Sequence, residues 1–325
     1  PLTGFSATAR RAQDVPELLA RAFTLFASQR PRPVHISIPI DVQAEQVDED
    51  WQPVTLPGRP KADPEDIAKA VNWLKGANSP LIMVGGGACG AGAALSEIAE
   101  RTGAIVIAST AGKGIIPDDH PLSLSASTVR PEVLHILSEA DVILAVGTEL
   151  SETDSFVERM NFNGRIIRID IDPSKINDVY PADLGIVADA QSSIQALCTA
   201  LEEHRSSGVE AAKERARIIR SEIRQGLGVS ERQHVAVLDA LAEVAPADII
   251  WSGDACQLVY TGAFAMPVHT SRKWFYPAGY CALGNALPNA IGARLARPET
   301  PVAVLVGDGG FMFTMPELLT AAELK

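Results

Sequence analysis

The sequence predicts an α/β protein in which parallel sheets are flanked by helices. Short apolar runs, among them residues 80–84 and 142–146, have the composition of strands that are buried on both faces. Stretches with apolar residues at helical spacing separate these runs, and this alternation is typical of parallel sheets. Glycine-rich turns follow two of the strands, at residues 85–92 and 307–310.

The chain opens with a predicted helix and a predicted strand. Apolar residues recur at helical spacing over residues 9–29, and the proline-rich residues 30–33 end that helix. Residues 34–40 follow as a strand. His35 alternates there with apolar residues beside prolines, so we interpret it as a structural histidine rather than a catalytic base.

The pattern divides the chain into five segments. Residues 41–61 are polar and rich in proline, as in a linker, and Asp63-Pro64 has the residue types of a helix N-cap and a first helical position. The predicted segments are an opening unit at 1–50, a linker at 51–62, a central α/β unit at 63–204, a charged connecting helix at 205–232 and a final unit at 233–325.

The central segment is predicted to alternate strands with helices. Strands are expected at residues 80–84, 104–108, 142–146 and 165–171, and helices at residues 93–102, 131–140 and 191–203. The glycines of residues 84–92 lie between a strand and a helix, but they do not match the pattern G-x-G-x-x-G, and no acidic residue closes the next strand. A nicotinamide site is therefore a distant alternative, and the other reading is that these glycines only shape turns.

The final segment combines a strand, a glycine turn and a helix. A helix at 234–244 and a strand at 248–251 open this segment, and an apolar strand over residues 302–306 leads to Gly307-Asp308-Gly309-Gly310. We expect a helix to open after Thr314, with Pro316 in its first turn. Glycine lets an anion approach backbone N–H groups, and a helix dipole favours negative charge. Because Asp308 would repel a bare phosphate, it predicts a divalent cation, and Mg²⁺ binds between carboxylates and phosphates in this way.

Composition argues against several classes of partner. A net charge of −12 disfavours a nucleic-acid or anionic-membrane surface. No run of eighteen apolar residues occurs and nothing at the N-terminus resembles a signal peptide, so no membrane contact is expected. The cysteines lack metal-ligand spacing, which favours a reducing cytoplasm. They are Cys89, Cys198, Cys256 and Cys281.

Two segments together carry a family resemblance. Residues 277–293 contain Leu283-Gly-Asn-Ala-Leu-Pro288, and the glycine turn at 307–310 follows in the same order and spacing as in a known superfamily. The pair resembles the thiamine-diphosphate (ThDP) enzymes of the acetolactate synthase and 2-oxo acid decarboxylase branch. The resemblance implies a ThDP-binding fold with a Rossmann-like central domain, and it implies ThDP and Mg²⁺ as cofactors.

The resemblance also implies roles for individual residues. The cofactor is expected to be held by the diphosphate-binding turn, with Asp308 as the metal ligand, while Leu283 supports the bent cofactor and the backbone carbonyl of Cys281 accepts a hydrogen bond from its amino group. The residues of that turn are Gly307, Asp308, Gly309 and Gly310. Outside the resemblance, a core role would be the default for Leu283, and no basic partner suggests a nucleophilic Cys281.

The loop at 252–262 resembles one subgroup of this superfamily. Its sequence is similar to that of the corresponding loop in the 5-guanidino-2-oxopentanoate decarboxylases. That loop has the sequence Gly-Asp-Ser-Thr-Gln-Pro-Val-Tyr and is used to hold the diphosphate. This chain has Ala255 and Cys256 where two hydroxyls would bind phosphate, followed by Gln257. Diphosphate contacts at these positions are expected to come from backbone N–H groups instead.

A flavin is the less favoured of the implied cofactors. Acetolactate synthases bind FAD in the central domain, partly through an arginine shortly after the strand end that corresponds to residue 146. This chain has no arginine in residues 146–154, and the hydroxyl and carboxylate side chains there suit a flavin phosphate poorly. Glu149, Glu152 and Asp154 could attract a cationic substrate, although a solvated loop is the preferred interpretation.

The resemblance further implies parts that lie outside residues 1–325. Residues 34–42 are similar to the end of the pyrimidine-binding domain, so the glutamate that activates the pyrimidine is expected before Pro1, and the asparagine that completes the metal site is expected after Lys325. The sequence is thus expected to be a fragment that is inactive alone. Related sites lie between subunits, which implies a homodimer or homotetramer when intact.

The sequence therefore predicts a ThDP- and Mg²⁺-dependent enzyme that decarboxylates a small 2-oxo acid without oxidation, with 5-guanidino-2-oxopentanoate as the preferred candidate. One alternative is a carboligase of the acetolactate synthase type. An alternative of another class is a non-catalytic binding module that retains the fold, for which Ala255 and Cys256 are the main support.

Overall fold

The opening unit is a parallel β-α-β element. In the computed structural model, which describes residues 3–324, β1 (Phe5–Thr8) pairs in parallel with β2 (Val34–Ser37). The helix α1 (Asp14–Ser28) connects the strands, and α2 (Ile40–Gln43) follows them. The helix expected from residue 9 begins at Asp14, because the chain turns after β1 and the Asp14 carboxylate accepts hydrogen bonds from the amides of residues 10 and 11.

His35 has a structural position in this unit. It stands directly opposite Ser6 in the register of β1 and β2, and its Nδ1 lies 2.9 Å from the Ser6 hydroxyl oxygen. This cross-strand pair accounts for the polar side chain on the strand and agrees with the predicted structural role.

The central unit is a five-stranded parallel sheet flanked by helices. Its strand order is β4-β3-β5-β6-β7, and every neighbouring pair is parallel. The elements in chain order are α3 (Pro64–Gly76), β3 (Pro80–Val84), α4 (Gly92–Thr102), β4 (Ile105–Ala108), α5 (Pro131–Glu139), β5 (Val142–Val146), α6 (Glu152–Ser155), β6 (Arg165–Asp170), β7 (Leu184–Val187) and α7 (Ala190–Ala200). The strands β3, β4 and β5 are buried along their whole length, as their continuous apolar runs predict.

Two helices lead to the final unit. They are α8 (Val209–Gln225) and α9 (Val229–Val244). The helix expected from residue 234 begins at Val229, because the Glu231 carboxylate accepts a hydrogen bond from the amide of Gly228 and caps the helix there. The side chains of Ala216, Ile219 and Ile223 join the core of the central unit.

The final unit is a three-stranded parallel sheet of order β10-β8-β9. Its elements are β8 (Ile250–Gly253), α10 (Gln257–Ala265), β9 (Trp274–Phe275), α11 (Ala286–Ala296), β10 (Val302–Leu305), α12 (Asp308–Thr314) and α13 (Glu317–Leu324). A small core around Trp251, Val259, Trp274 and Leu305 holds the sheet against α9 and α10.

The helix expected after Thr314 is present, and a second helix precedes it. The expected helix, α13, begins at Glu317 directly after Pro316. The additional helix α12 begins at Asp308, with Gly307 in an extended conformation as its N-cap and the amide of Phe311 donating to the carbonyl of Gly307 at 2.9 Å. Pro316 separates α12 from α13.

Candidate functional site

The candidate site lies where β8 and β10 end. The two strands are adjacent and parallel, with Leu305 opposite Gly253, so the segments that follow them leave the same edge of the sheet. A Cβ atom on Gly307 would lie 3.5 Å from the Cβ of Cys256. The segment after β8 and the glycine turn after β10 therefore touch each other at the strand ends, where α/β sheets bind ligands.

Two helices begin in these touching segments. The helix α10 starts at Gln257 and α12 starts at Asp308. Helix geometry leaves the amides of a first turn without intrahelical acceptors, and the positive ends of the helix dipoles lie at the same place. The site thus combines backbone donors with positive potential, which suits an anion such as a diphosphate.

The amides of Ala255 and Cys256 do not contribute to this set of donors. The amide of Ala255 donates to the Oδ1 atom of Asp254 at 2.7 Å, and the amide of Cys256 donates to the Asp254 carbonyl at 2.8 Å. Both amides thus have acceptors within the protein, and contact of the diphosphate with the backbone N–H groups at positions 255 and 256 stays a prediction. The available amides in this segment are those of Gln257 and Leu258, in the first turn of α10.

The glycine turn has room in front of it. A Cβ atom on Gly309 would meet no heavy atom within 4 Å, so this part of the turn is open to an approaching group. Asp308 is exposed beside it. Within residues 3–324, no cluster of three or more His, Cys, Asp or Glu side chains is arranged to hold a metal. A cation at this turn would thus be bound by one carboxylate together with phosphate oxygens, a ligand set that Mg²⁺ accepts. The open turn and the single carboxylate fit a metal–diphosphate group.

The segment at 281–284 completes the site. Cys281 has a left-handed backbone (φ 49°), and its sulfur lies 3.1 Å from the hydroxyl oxygen of Tyr276. Burial, followed by the contact with this thiol, raises the pKa of Tyr276, so the phenol stays protonated. The side chain of Leu283 is 50% exposed although it is large and apolar. An exposed leucine beside the glycine turn is consistent with a residue that supports a bound cofactor.

Gly284 ties this segment to the other two. Its amide donates to the Oδ2 atom of Asp254 at 2.8 Å, and its carbonyl accepts from the hydroxyl of Thr314 at 2.9 Å. Its φ of 83° requires glycine, and a Cβ atom there would come within 2.8 Å of the Cβ of Phe313. The sequence singled out neighbours of Asp254 but assigned no role to its carboxylate, which is the point where the three segments meet.

The glycine turn of the central unit has a different explanation. A Cβ atom on Gly85 would lie 2.3 Å from the carbonyl oxygen of Gly147, and one on Gly87 would lie 2.9 Å from the Cα of the same residue. The ends of β3 and β5 are therefore packed backbone against backbone. This packing is sufficient to require the glycines, in agreement with the reading that they shape turns.

Two of the acidic side chains that follow β5, those of Glu149 and Asp154, are engaged within the protein. Glu149 forms ion pairs with Arg30 and with Lys175, the latter at 3.1 Å. Asp154 accepts a hydrogen bond from the amide of Thr110 at 2.9 Å, and burial raises the pKa of its carboxyl group. Glu149 and Asp154 thus have partners within the protein, so they are not free to attract a cationic substrate.

Comparisons with known proteins identify the family to which the chain is similar. The family model "Thiamine pyrophosphate enzyme, central domain" matches residues 67–197, and "Thiamine pyrophosphate enzyme, C-terminal TPP binding domain" matches residues 254–325, together more than half of the chain. "Probable 2-ketoarginine decarboxylase AruI" of Pseudomonas aeruginosa is 44% identical, over 99% of this chain and 58% of the relative. An acetolactate synthase of Mycobacterium bovis is 31% identical, over 99% of this chain and 54% of the relative.

A solved structure shows the same fold. It is an X-ray structure of a candidate thiamin diphosphate-dependent enzyme from Mycobacterium smegmatis, and it superposes with a TM-score of 0.81 at 22% identity, covering all of this chain and 63% of the other. The chain spans little more than half the length of the curated relatives that it matches.

Proposed function

The chain belongs to the thiamine pyrophosphate enzyme family, and we propose that the complete protein binds ThDP and Mg²⁺ and decarboxylates a small 2-oxo acid without oxidation. The observation that carries this proposal is the meeting of residues 254–258, 281–284 and 307–310 at the carboxyl ends of β8 and β10. These are the segments in which the sequence carries the family motifs.

Each segment has a distinct task in this proposal. Amides in the first turns of α10 and α12 bind the diphosphate, with Ala255 and Cys256 lining it rather than donating to it. Asp308 would hold Mg²⁺ at the glycine turn. Leu283 would support the cofactor, and the carbonyl of Cys281 would accept a hydrogen bond from its amino group. Bound ThDP supplies the electron sink that allows a 2-oxo acid to lose CO₂.

We propose 5-guanidino-2-oxopentanoate, which is 2-ketoarginine, as the substrate. This proposal is supported by the 44% identity to the Pseudomonas aeruginosa relative. It is also supported by the loop sequence at residues 252–260, which resembles that of the 5-guanidino-2-oxopentanoate decarboxylases. The 31% identity to an acetolactate synthase supports carboligation as the alternative. The packing of Gly85 and Gly87 on Gly147 gives no independent support to FAD.

The compartment and assembly state are further parts of the proposal. Cys89, Cys198, Cys256 and Cys281 are all free thiols, as in a reducing cytoplasm. No helix within residues 3–324 is long and apolar enough to cross a membrane. Large apolar side chains of α12 and α13, such as Phe313 (69% exposed) and Leu319 (68% exposed), favour a homodimer or homotetramer in which these helices are covered.

The test is CO₂ release by the full-length protein from the guanidino acid and from pyruvate, with and without ThDP and Mg²⁺. We expect cofactor-dependent release with preference for the guanidino acid. Asp308→Asn should raise the Mg²⁺ concentration needed for half-maximal activity by about 10-fold or more. The matched control is Asp248→Asn, an exposed carboxylate before the opposite end of β8, which should behave as wild type.

Three outcomes would contradict parts of the proposal. Acetolactate formed from pyruvate in preference to turnover of the guanidino acid would establish the carboligase. Binding of ThDP without turnover of either acid would establish the binding module. Equal effects of Asp308→Asn and Asp248→Asn would remove Asp308 from the metal site.

A further inference from the structure

Asp254 is a buried carboxylate at the centre of the candidate site. The residue is 1% exposed, and among the residues that the structure describes no lysine, arginine or histidine forms an ion pair with it. A carboxylate taken out of water without a cation must be stabilised by hydrogen bonds to its charged form. Here the donors are backbone amides, those of Ala255 at Oδ1 (2.7 Å) and Gly284 at Oδ2 (2.8 Å).

The carboxylate also borders the first turn of α12. A Cβ atom on Gly310 would come 3.0 Å from Oδ2 and 3.1 Å from the carboxyl carbon of Asp254. The backbone of Asp254 continues the sheet towards the same place, because its amide donates to the carbonyl of Leu305 in β10 at 2.9 Å. One residue therefore bonds to the end of β10 and to the segment before α11, and its carboxylate lies against the first turn of α12.

A second side chain of β8 strengthens this connection. Ser252 is 1% exposed, and its hydroxyl donates to the carbonyl of Ala286 at 2.8 Å. Side chains two residues apart in extended backbone point to the same side, so Ser252 and Asp254, the residue directly after β8, bind Ala286 and Gly284 from one side. The first residue of α11 and the segment before it are thus each held by one bond from this stretch.

We propose, on the basis of the proposed function, that Asp254 is a positioning residue. It holds Leu283 and the carbonyl of Cys281 at the distance from the glycine turn that a cofactor bound to this turn requires. Its carboxylate fixes Gly284, the residue directly after Leu283, against the helix whose first turn would hold the diphosphate. The hydroxyl of Thr314, at the end of the same helix, fixes the other side of the Gly284 peptide. Asp254 acts through this segment and does not itself touch the cofactor.

The test uses Asp254→Asn in the full-length protein. The asparagine has nearly the same size, but its NH₂ group must face the amide of either Ala255 or Gly284, so one N–H···O bond is replaced by two opposed donors. The matched control is Asp170→Asn in the central unit. Asp170 is 5% exposed and likewise accepts a backbone amide, that of Asp172, at 2.9 Å.

Two readouts are measured for each variant. Hydrogen exchange of the cofactor-free protein, followed by mass spectrometry of peptides covering 281–287, reports whether Gly284 is released. Calorimetric titration with ThDP at saturating Mg²⁺ reports the consequence for binding. We expect faster exchange in 281–287 and a ThDP dissociation constant raised about 10-fold for Asp254→Asn, with neither change for Asp170→Asn.

The two readouts separate this inference from the function on which it rests. Unchanged exchange in 281–287, uniform acceleration across the final unit, or local acceleration without weaker ThDP binding would each overturn the role of Asp254. Wild-type protein that binds no ThDP would overturn the proposed function instead, whatever the exchange result. If Asp254→Asn does not fold, Asp254→Ser retains an oxygen acceptor and the same measurements apply.

Discussion

Replacing Lys113 tests the contact between the central and final units. The side chain is fully buried, and its Nζ atom lies 2.6 Å from the Oδ2 atom of Asp118 and 2.6 Å from the hydroxyl oxygen of Ser125. The Oδ2 atom of Asp118 in turn accepts a hydrogen bond from the amide of Val268 in the final unit (3.0 Å), and the amide of Asp118 donates to the Val268 carbonyl (3.1 Å). The ring of Trp274 in β9 lies 6.0 Å from Nζ. The ion pair therefore supports the junction beside the sheet that carries the site.

Lys113→Met would leave the Asp118 carboxylate buried without its cation. Burial lowers the pKa of the Lys113 ammonium group, and the negative charge of Asp118 opposes that shift. Each buried charge is therefore stabilised by the other. The Oδ1 atom of Asp118 already lacks a partner among the described residues, so it gives no alternative stabilisation. Removing one member of a buried pair costs about 3–5 kcal/mol. With a urea m-value of about 1–3 kcal/mol/M, that corresponds to a midpoint lowered on the order of 1 M or more.

The assay is urea unfolding of the full-length protein, followed by tryptophan fluorescence because Trp274 lies at the junction. The matched control is Lys69→Met, whose lysine is 58% exposed and pairs with Asp66 at 3.2 Å. An exposed pair contributes about 0–1 kcal/mol, so the control should shift the midpoint little. The double variant Lys113→Met/Asp118→Asn should be more stable than Lys113→Met alone, because it removes the stranded charge. Equal midpoints for Lys113→Met and Lys69→Met, or additive losses in the double variant, would refute the reasoning.

Two further predictions concern backbone strain and pH. Gly284→Ala should destabilise the protein by about 1–3 kcal/mol, because alanine at a φ of 83° is strained and its methyl group meets Phe313. Thermal melting against Gly279→Ala, where a methyl group has no neighbour within 4 Å, checks this, and equal losses would contradict it. Asp154→Asn should stabilise the protein at pH 7. Burial raises the pKa of Asp154 against the opposing hydrogen bond from Thr110, so ionisation above that pKa destabilises the folded state. The gain in unfolding free energy of the variant over the wild type should shrink as the pH falls towards 3.8, the ordinary pKa of an aspartate. Urea unfolding at several pH values measures this gain, and a variant less stable than the wild type at pH 7 would contradict the reasoning.

The central sheet was predictable because burial on both faces leaves a direct mark on the sequence. The run at residues 142–146 coincides with β5, whose five residues are all buried. The strand β7 was missed for the opposite reason. It has only four residues, it alternates between buried and exposed, and Gly185 interrupts its apolar side chains, so no continuous apolar run marks it as a strand.

The helix start at Asp308 was not predictable from propensity. Glycines after a strand favour a turn, and Gly309 and Gly310 are poor helix formers. Position 310 requires a small residue because a side chain there would meet the carboxylate of Asp254. Asp254 lies 56 positions earlier in the sequence. Local pattern does not contain such a long-range contact.

The two Gly-Asp pairs of the final unit show most directly what the sequence leaves open. Gly253-Asp254 begins at the last residue of β8 and Gly307-Asp308 begins two residues after the end of β10, and the two strands are neighbours in the same sheet. Asp254 stays in the sheet through its bond to Leu305, so its carboxylate is buried and binds backbone amides. Asp308 lies beyond the end of β10 and begins a helix, so its carboxylate is exposed beside the open turn. The same dipeptide therefore provides a buried acceptor of backbone hydrogen bonds in one place and a candidate metal ligand in the other, and only the three-dimensional register of β8 and β10 distinguishes them.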